Sequence, residues 1–557
     1  MLLTAVFLVF VLLFIRAAQL QILHADFYNE QGSNRHVRTV EIPANRGVIT
    51  DRHGEALAIS TPVYSVWAHP KTALENPQSI SHAAKVLSIS KKSIVKKLKQ
   101  RKDKQFVYIK RHVFPNIADQ LKHQKTPGIS ITREYRRYYP TGEMAAHVVG
   151  LTNIDDQGLE GIELAFDDWL HGSPGKKRVL KNAHGVVIGD IALVQEPHHG
   201  KDLAISIDKR IQYLAYRELK RTIHNHSAKS GSVVVLSVES GEVLAMANLP
   251  AFNPNDRSNA KVSAIRNRAI TDVFEPGSTV KPFLIAAAIE NGTYQVHSKI
   301  NTAPGYFKVG GLLVSDHSNY GVIDMKTLLS KSSNVGAVRV ALKMSQEQIW
   351  NQYQSVGFGQ LTGSGFPGER AGKLASYANW NQTQRATLAY GYGMSTTAMQ
   401  LARAYSVIAN NGVLMPASFV VNEQPATGQR VMSGRTARAV RNMLKGVLDK
   451  SGTGSRASMQ GYSAAGKTGT SRKAQDGGYS EDNYIALFAG MAPAEEPKIV
   501  VVALIDQPLK KDGYYGGEVA APLFSRITEG SLRLLNVAPN IIDQKKRGLL
   551  ITEMGKQ

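Results

Sequence analysis

The longest apolar run of the chain stands at its very start. Residues 1–15 contain one threonine and otherwise only apolar side chains, Arg16 interrupts, and a weaker apolar pattern continues to Leu23. A helix needs about 20 residues to cross a bilayer, so Arg16 must reach the interface with its charged end. A cleaved signal peptide is the alternative, but no basic segment precedes the run and no Ala-x-Ala site follows it. We therefore predict an uncleaved signal anchor over residues 1–23.

Shorter patterns follow the anchor and predict a first region over residues 24–200. Val48-Ile49 is typical of a short strand between turns, with the next turn over residues 51–54. Residues 85–104 form a basic, partly amphipathic helical pattern. We interpret it as a solvated surface, with a surface facing the membrane or a partner as the alternative.

Residues 201–545 show strands at both ends with helices between them. Strands are predicted over 202–207, 232–238, 242–247, 485–491 and 499–505, and helices over 209–221, after Ser278, over 324–329 and over 521–535. This order indicates an α+β domain whose sheet is closed by the C-terminal strands. A tail remains at residues 546–557.

Composition narrows the choice of partners. The 557 residues suffice for two or three domains, and 67 Lys and Arg against 44 Asp and Glu give a net charge of +23. That charge suits a membrane surface, a pyrophosphate-bearing lipid or nucleic acid. Nucleic acid is less favoured, because there is no zinc-ligand cluster, RNA-binding aromatic signature or long basic block. The absence of cysteine excludes disulfides and thiolate metal sites.

A serine and a lysine at the start of a helical pattern suggest nucleophilic chemistry. Ser278 follows a Pro-Gly turn, Lys281 stands three positions later, and Pro282 places both in the first turn of a helix. Residues i and i+3 share a helix face, so the two side chains are expected to meet where backbone N–H groups favour negative charge. Ser-x-x-Lys occurs six times in the chain, so the spacing alone proves little.

Two further motifs support a catalytic interpretation of Ser278 and Lys281. Ser332-Ser333-Asn334 is the only Ser-x-Asn, and Lys467-Thr468-Gly469-Thr470 contains the only Lys-Thr-Gly. Each alone is weak. On an edge strand the second motif would offer a cation and two hydroxyls to a carboxylate, with Gly469 allowing close backbone approach. In this order the three motifs form the signature of serine β-lactamases and penicillin-binding proteins.

The sequence resembles the class B penicillin-binding proteins, which are peptidoglycan D,D-transpeptidases. The residues that carry the likeness are Arg46-Gly47, Asp51-Arg52-x-Gly54, Arg137-Tyr138-Tyr139-Pro140, Gly158-x-x-Gly161-x-Glu163, Phe274 to Phe283, Ser332 to Gly336, Tyr390 to Gly393, Gly466 to Thr470 and Tyr514 to Pro522. Residues 146–161 resemble the division-specific type (FtsI or penicillin-binding protein 3) more than the elongation-specific type. Taken without the resemblance, the Arg and Asp residues of the first region predict a structural ion-pair network.

The resemblance implies an architecture of three parts. A membrane helix is followed by a β-rich non-catalytic pedestal of the dimerisation type, over 24–200, and by a transpeptidase domain over 201–545 that resembles serine β-lactamases, with an antiparallel sheet flanked by helices. The stretch before the catalytic domain shows none of the acidic glycosyltransferase motifs of class A relatives. We therefore expect no polymerase activity, and neither a metal nor a cofactor is implied.

It also implies a role for each motif residue. The catalytic residues are Ser278, Lys281, Ser332, Asn334 and Lys467; the substrate contacts are Ser333, Thr468, Gly469 and Thr470; the oxyanion hole is formed by the backbone N–H groups of Ser278 and Thr470; the pedestal motifs are Arg46, Gly47, Asp51, Arg52, Gly54, Arg137 and Glu163. Lys281 must be transiently neutral to act as a base. We expect burial and the charge of Lys467 to lower its pKa.

The implied activity is the cross-linking of stem peptides during septal wall synthesis, with β-lactams as inhibitors. No deacylating glutamate motif follows Ser332, which argues against a β-lactamase. The implied location is the bacterial inner membrane, with one span and a periplasmic catalytic domain. The implied partners are donor and acceptor stem peptides, a polytopic septal glycosyltransferase and other division proteins, and no nucleic acid. An elongation-specific transpeptidase and a β-lactam sensor or division scaffold without turnover are the alternatives.

Overall fold

An apolar helix opens the structure, a computed structural model that describes residues 1–541 apart from 125, 182–186, 423, 425 and 476–477. Helix α1 spans Leu2–Ala18 and continues past Arg16 as a π-helical segment over Gln19–Leu23. Leu2–Leu23 is the one helix in the described part of the chain that is long and apolar enough to cross a membrane. Helix α2 (Ala25–His36) follows. The tail predicted at 546–557 lies outside the described residues.

The first module consists of strands interrupted by short helices. Its strands are β1 (Val37–Ile42), β2 (Ile49–Thr50), β3 (Ala56–Ala68), β4 (Val107–Val113), β5 (Ile129–Tyr138), β6 (Leu151–Thr152), β7 (Gly158–Glu160), β8 (Gly175–Lys181) and β9 (Val187–Gln195). Its helices are α3 (Pro70–Glu75), α4 (Pro77–Leu87), α5 (Lys91–Lys99), α6 (Pro115–Lys122), α7 (Ala146–Val149), α8 (Gly161–Ala165) and α9 (Asp167–Leu170). The basic stretch that was predicted as one helix is thus two, α4 and α5, because Ser88 adopts a left-handed conformation that ends α4.

Strand β3 organises this module. It pairs with β2, β4 and β5, and the hairpin-like β1, β8 and β9 form a separate three-stranded sheet. Helices α3 to α6 pack on one side of β3, β4 and β5 around a local core that includes Val66, Ile80 and Leu98. The apolar face of α5 is therefore buried, while most of its lysines remain exposed.

The second module combines one large sheet with many helices. Its strands are β10 (Leu203–Ala204), β11 (Ser230–Ser237), β12 (Val243–Leu249), β13 (Lys299–Asn301), β14 (Tyr306–Val309), β15 (Leu312–Ser315), β16 (Val322–Asp324), β17 (Val413–Leu414), β18 (Gln429–Arg430), β19 (Ala465–Gln475), β20 (Gly478–Ala492) and β21 (Ile499–Asp506). Its helices are α10 (Lys209–Asn225), α11 (Val262–Ile265), α12 (Arg268–Thr271), α13 (Lys281–Glu290), α14 (Met325–Lys331), α15 (Asn334–Lys343), α16 (Gln346–Ser355), α17 (Gln382–Leu388), α18 (Ala398–Ala409), α19 (Gly434–Lys445) and α20 (Gly516–Leu534).

The large sheet confirms the predicted α+β architecture. Five antiparallel strands lie in the order β12-β11-β21-β20-β19, so the C-terminal strands complete the sheet and β19 forms one edge. Strands β12 and β21 are buried at successive residues, which requires cover on both faces. Helices α10 and α20 pack against each other and against the sheet, and α18 packs against β11, β20 and β21.

The two modules share one continuous hydrophobic core. Ile49 and Leu57 of the first module belong to the same buried cluster as the sheet and helices of the second. Strand β2 also pairs in parallel with β10, which carries the backbone ladder across the junction. A cavity of about 860 Å³ lies at this junction, lined by residues that include His53, Tyr213 and Arg533. It contains none of the residues that sequence analysis assigned to catalysis.

Candidate active site

A tight turn at the start of a buried helix presents Ser278. Residues Gly277–Val280 form a 3-10 turn that leads directly into α13. Sequence analysis placed Ser278 in the first turn of the helix itself; the α-helix instead begins at Lys281, with Pro282 in its first turn. Ser278 is partly exposed, whereas Gly277 and Thr279 on either side of it are buried. The serine is therefore the point at which this turn meets solvent.

Lys281 lies in the centre of the predicted constellation. It is fully buried, and its Nζ donates hydrogen bonds to Ser332 O at 2.6 Å, Asn334 Oδ1 at 2.7 Å and Ser332 Oγ at 3.2 Å. The structure thus brings the first two motifs together through the lysine. Within the described part of the chain, the Ser278 hydroxyl makes no hydrogen bond, so the expected direct contact between Ser278 and Lys281 is not formed.

Burial also sets the charge of Lys281. Removal from solvent lowers the pKa of the Lys281 amine to about 7, while the carboxylate of Asp316 acts in the opposite direction. An amine with this pKa is substantially neutral near pH 7. It can therefore accept a proton, as a general base must.

The Ser-Ser-Asn motif connects two helices. Ser332 ends α14 in a left-handed conformation with φ of 58°, and Ser333 is the N-cap of α15, whose first residue is Asn334. The Ser333 hydroxyl accepts from Gly336 N at 2.9 Å and donates to Asp316 Oδ2 at 2.6 Å. Only 1% of the surface of Ser333 is exposed, so both hydrogen bonds of its hydroxyl lie inside the protein. This geometry gives Ser333 a capping role, and its predicted contact with substrate stays a prediction.

Asp316 is a residue of this cluster that sequence analysis missed. It follows β15 and its Oδ1 accepts from Asn334 N at 2.5 Å and from Val335 N at 3.0 Å. Asp316 belongs to none of the three motifs and stands 16 positions before Ser332. No sequence pattern singled it out, because single aspartates in polar stretches such as residues 315–319 are common.

The third motif lies on the edge strand β19, beside the turn that carries Ser278. Lys467 is fully buried and its Nζ donates to Thr468 O at 3.1 Å and Thr468 Oγ1 at 3.3 Å. Thr468 Oγ1 lies 2.8 Å from Thr453 Oγ1, and Thr470 Oγ1 accepts from Gly516 N at 2.9 Å. The motif hydroxyls are thus held in place by neighbouring loops and by α20.

Burial lowers the pKa of both motif lysines. It lowers the pKa of Lys467 well below its ordinary value, and the positive charge of Lys281 lowers it further. For Lys281 the lowering comes from burial, and the carboxylate of Asp316 opposes it. Repulsion between two neighbouring ammonium groups acts on both of them, so each amine disfavours the charged form of the other.

Glycines allow three segments to meet at Ser278. A Cβ on Gly469 would lie 2.9 Å from Thr279 Cγ2, so β19 and the turn touch at backbone distance. A Cβ on Gly391 would lie 2.1 Å from the carbonyl oxygen of Gly277, whose N–H donates to Gly391 O at 3.1 Å. Close packing of this kind tolerates no side chain at either position.

Glu275 and a group of tyrosines flank the turn. Glu275 and Tyr392 belong to motifs of the family resemblance, whereas Tyr479 belongs to none of them. Glu275 Oε1 accepts from Gly393 N at 2.8 Å and from Tyr479 OH at 3.1 Å, and burial raises the pKa of this carboxyl. The rings of Tyr392 and Tyr479 meet edge to face with centroids 5.3 Å apart. Because these two tyrosines are 87 positions apart, no local sequence pattern could predict their contact.

The pedestal motifs form an ion-pair cluster of their own. Glu163 is fully buried and accepts from Arg46 Nε and Arg137 Nε at 2.6 Å each, while Arg46 Nη1 donates to Asp167 Oδ1 at 2.6 Å. Buried charges persist only when they are paired and hydrogen-bonded. These contacts tie the segment before β2 to β5 and α8.

The remaining pedestal motif residues connect the modules. Asp51 Oδ2 accepts from Lys209 N at 3.1 Å, and Arg52 Nη1 lies 3.2 Å from Glu242 Oε2. A Cβ on Gly47 would lie 2.0 Å from Lys201 O, and Gly54 has φ of 85°. The pedestal motifs make no hydrogen bond or ion pair to the catalytic cluster in the part of the chain that is described.

Comparisons with known proteins agree with this geometry. Residues 231–529 match the family model described as the penicillin binding protein transpeptidase domain. Residues 41–205 match the model of the penicillin-binding protein dimerisation domain. The two matched segments correspond to the second and first modules of the structure.

Similar sequences extend over almost the whole chain. It is 40% identical over 541 residues to a protein named probable peptidoglycan D,D-transpeptidase PenA of Neisseria meningitidis, covering 96% of this chain and 92% of that protein. It is 39% identical over 547 residues to peptidoglycan D,D-transpeptidase FtsI of Escherichia coli K12, covering 97% and 92% respectively.

Solved structures give the same assignment. The transpeptidase domain of penicillin-binding protein 3 from Burkholderia pseudomallei is 42% identical with a TM-score of 0.56, covering 61% of this chain and 98% of that one. Penicillin-binding protein 3 from Mycobacterium tuberculosis in complex with aztreonam is 28% identical with a TM-score of 0.71, covering 90% and 98%. The resemblance found in the sequence is confirmed. The chain belongs to the penicillin-binding proteins that join a dimerisation domain to a transpeptidase domain.

Proposed function

We propose that this chain is a serine peptidoglycan D,D-transpeptidase of septal wall synthesis and a target of β-lactams. The observation that carries the proposal is the buried Lys281 amine, held by Ser332 and Asn334 one turn behind a partly exposed serine. The names of the relatives PenA and FtsI support the reaction, and the FtsI name fits the septal role. Peptidoglycan stem peptides are the substrates.

The first half-reaction forms an acyl-enzyme. Neutral Lys281 takes the Ser278 proton, and Ser278 Oγ attacks the carbonyl between the two terminal D-Ala residues. Backbone N–H groups of Ser278 and Thr470 stabilise the oxyanion, and each such donor contributes about 3 to 4 kcal/mol in comparable sites. The C–N bond then breaks, and Ser332 passes a proton to the departing D-Ala.

The second half-reaction restores the serine. An amine of a second stem peptide attacks the ester carbonyl, the new amide bond forms, and Ser278 Oγ leaves and regains its proton. Before acylation, Thr468, Thr470 and Lys467 hold the donor's terminal carboxylate, which departs with the released D-Ala, and Asn334 bonds the donor's peptide backbone. Gly469 packs against Thr279, which keeps β19 close to the turn that presents Ser278. When the carboxylate binds, its negative charge favours the protonated form of Lys467.

Fluorescent penicillin tests the nucleophile. Ser278→Ala should abolish covalent labelling, because β-lactams imitate the D-Ala-D-Ala amide and acylate the same oxygen. Ser93→Ala, a serine followed by Lys96 on the exposed face of α5, is the matched control and should label like the wild type. Stoichiometric labelling of folded Ser278→Ala would overturn the assignment.

Turnover separates an enzyme from a β-lactam sensor or a scaffold. The full-length protein is given a stem-peptide thioester and an amine acceptor, and the amide product is measured. Product that depends on Ser278 is expected. A folded sample that binds penicillin but forms no amide would favour the sensor or scaffold. Depletion in cells distinguishes the septal enzyme, whose loss gives filaments, from an elongation-specific one, whose loss gives rounding.

The proposed setting is the inner membrane, with Leu2–Leu23 as a single span and both modules on the periplasmic side. A polytopic septal glycosyltransferase and other division proteins are the proposed partners. The cysteine-free sequence makes the orientation easy to test, since Ser93→Cys would carry the only thiol. An impermeant maleimide should label it in spheroplasts; labelling only after lysis would contradict this orientation.

A further inference from the structure

The Asp316 carboxylate holds three groups at the start of α15. Its Oδ1 accepts the backbone N–H groups of Asn334 and Val335, and its Oδ2 accepts the Ser333 hydroxyl. These donors belong to the Ser-Ser-Asn motif and the residue that follows it. A carboxylate near a helix N-terminus is also stabilised by the helix dipole.

The same segment fixes the orientation of the Asn334 side chain. Asn334 Nδ2 donates to the carbonyl oxygen of Ser315 at 3.2 Å, while Asn334 Oδ1 accepts from Lys281 Nζ at 2.7 Å. Asp316 therefore holds the backbone of Asn334, and its neighbour Ser315 holds the amide. Together they determine which atom of the asparagine faces the lysine.

Asp316 also supplies the negative charge that acts on Lys281. Lys281 has two charged neighbours in this cluster, Asp316 after β15 and Lys467 on β19. Ser332 and Asn334, which accept its hydrogen bonds, are neutral. The carboxylate favours the ammonium form of Lys281 and so opposes the effect of burial. One residue outside the motifs thereby influences both the position and the charge of the base.

We propose that Asp316 is a positioning residue for acylation, which aligns Asn334 with Lys281 and tunes the protonation of the base. This inference deepens the proposed function and rests on it, because it concerns the lysine that activates Ser278. A purely structural cap would contribute to the stability of α15 alone. A positioning residue must in addition change how the acylation rate depends on pH.

Three variants separate these roles in the full-length protein. Asp316→Asn removes the charge and one acceptor, Asp316→Glu keeps the charge on a longer side chain, and Ser333→Ala removes the two hydrogen bonds of the hydroxyl while leaving the charge. Ser318→Ala is the matched control, since Ser318 is exposed and makes no side-chain hydrogen bond in the described part of the chain. The second-order rate of acylation by a fluorescent penicillin is measured from pH 5 to 9 for each, with folding checked by circular dichroism.

The expected results differ in kind between the variants. Misplacement of a catalytic group by about 1 Å costs roughly 100-fold, so Asp316→Asn should slow acylation at the plateau by roughly 10- to 100-fold. Its acidic limb should move below the wild-type midpoint of about 7, because the neutral amide no longer favours the ammonium form. Asp316→Glu should restore the midpoint, Ser333→Ala should slow the reaction without moving it, and Ser318→Ala should change neither.

Other outcomes would overturn the proposal. An unchanged rate and midpoint in folded Asp316→Asn would remove any role in acylation, and a slower rate with an unmoved midpoint would leave a structural cap only. If Asp316→Asn does not fold, Asp316→Glu provides the test. A midpoint that differs from the wild-type midpoint would then contradict the tuning of Lys281 by the carboxylate. A wild-type protein that penicillin does not acylate would instead sink the proposed function itself.

Discussion

At the scale of single residues, the buried lysines decide the chemistry. The motifs identified Ser278, Lys281 and Lys467 from the sequence alone, because each residue type is needed for acyl transfer. The effect of Asp316 on the pKa of Lys281 was not predictable, since this residue belongs to none of the motifs. Its proximity to the lysine does not follow from spacing along the chain.

The pH dependence of acylation tests the lowered pKa of Lys281. Lys281 must be neutral to act as base, and its pKa of about 7 lies below the ordinary lysine value. The acylation rate should therefore rise about tenfold per pH unit below pH 7 and level off above it. Stopped-flow measurement with a chromogenic β-lactam between pH 5 and 9 gives the midpoint.

Lys467→Ala tests whether the charge of Lys467 acts on Lys281. Lys467 is buried in the same cluster as Lys281, and repulsion between the two ammonium groups disfavours both charges. The midpoint of the acylation profile should therefore rise above about 7 in the variant, while binding of the carboxylate-bearing ligand weakens. An unmoved midpoint would show that Lys467 carries no charge where Lys281 titrates. Lys473→Ala, further along β19 and paired with Asp506, is the control.

At the scale of elements, the site depends on backbones that meet without side chains between them. The sequence predicted the strands β11, β20 and β21 and the helix after Ser278, whereas an edge strand was only the condition under which the Lys-Thr-Gly motif was interpreted. It did not predict that the 390–393 loop lies against Gly277, since that contact joins segments 114 positions apart. Likewise, the 3-10 turn before α13 results from packing and has no sequence signal of its own.

Substitution of Gly391 tests this packing. Gly391→Ala should slow acylation by roughly 100-fold or more, because the new Cβ would lie 2.1 Å from Gly277 O and displace the turn that carries Ser278. Gly363→Ala is the matched control, because Gly363 also has a positive φ, of 77°, but has open space around it. Both variants suffer backbone strain, so only the contact differs. Equal acylation rates in the two would contradict the argument.

At the scale of the whole molecule, the modules are joined by a shared core and by charged residues. The likeness to a known family indicated which residues of the pedestal matter, and composition alone predicted an ion-pair network. The partners within it were not predictable, because Arg46 and Glu163 are 117 positions apart. Nor did any pattern indicate the cavity of about 860 Å³ at the junction.

Glu163→Gln should destabilise the pedestal without altering the chemistry. The change leaves two buried guanidinium groups without their shared carboxylate, and breaking a buried pair in this way costs about 3 to 5 kcal/mol. Hydrogen exchange of amides in β5 and α8 during urea unfolding measures the loss. Penicillin labelling per folded molecule should stay within about twofold of the wild type.

Glu160→Gln provides the comparison, since Glu160 is exposed and makes no ion pair in the described part of the chain. Its unfolding free energy should match that of the wild type. Equal stability of the Glu163 and Glu160 variants would mean that the buried arginines are solvated or paired elsewhere, and the network would lose its structural role.

The contact between the Ser278 turn and β19 has a consequence for solubility. An uncovered edge strand offers its backbone to other sheets and so promotes aggregation. Here Thr279 lies against Gly469, so the turn that presents the nucleophile also packs on the edge strand of a sheet five strands wide. A change that loosens the turn therefore exposes a ready-made template for self-association. Acylation by Ser278 and resistance to aggregation therefore depend on the same packing of this turn on β19.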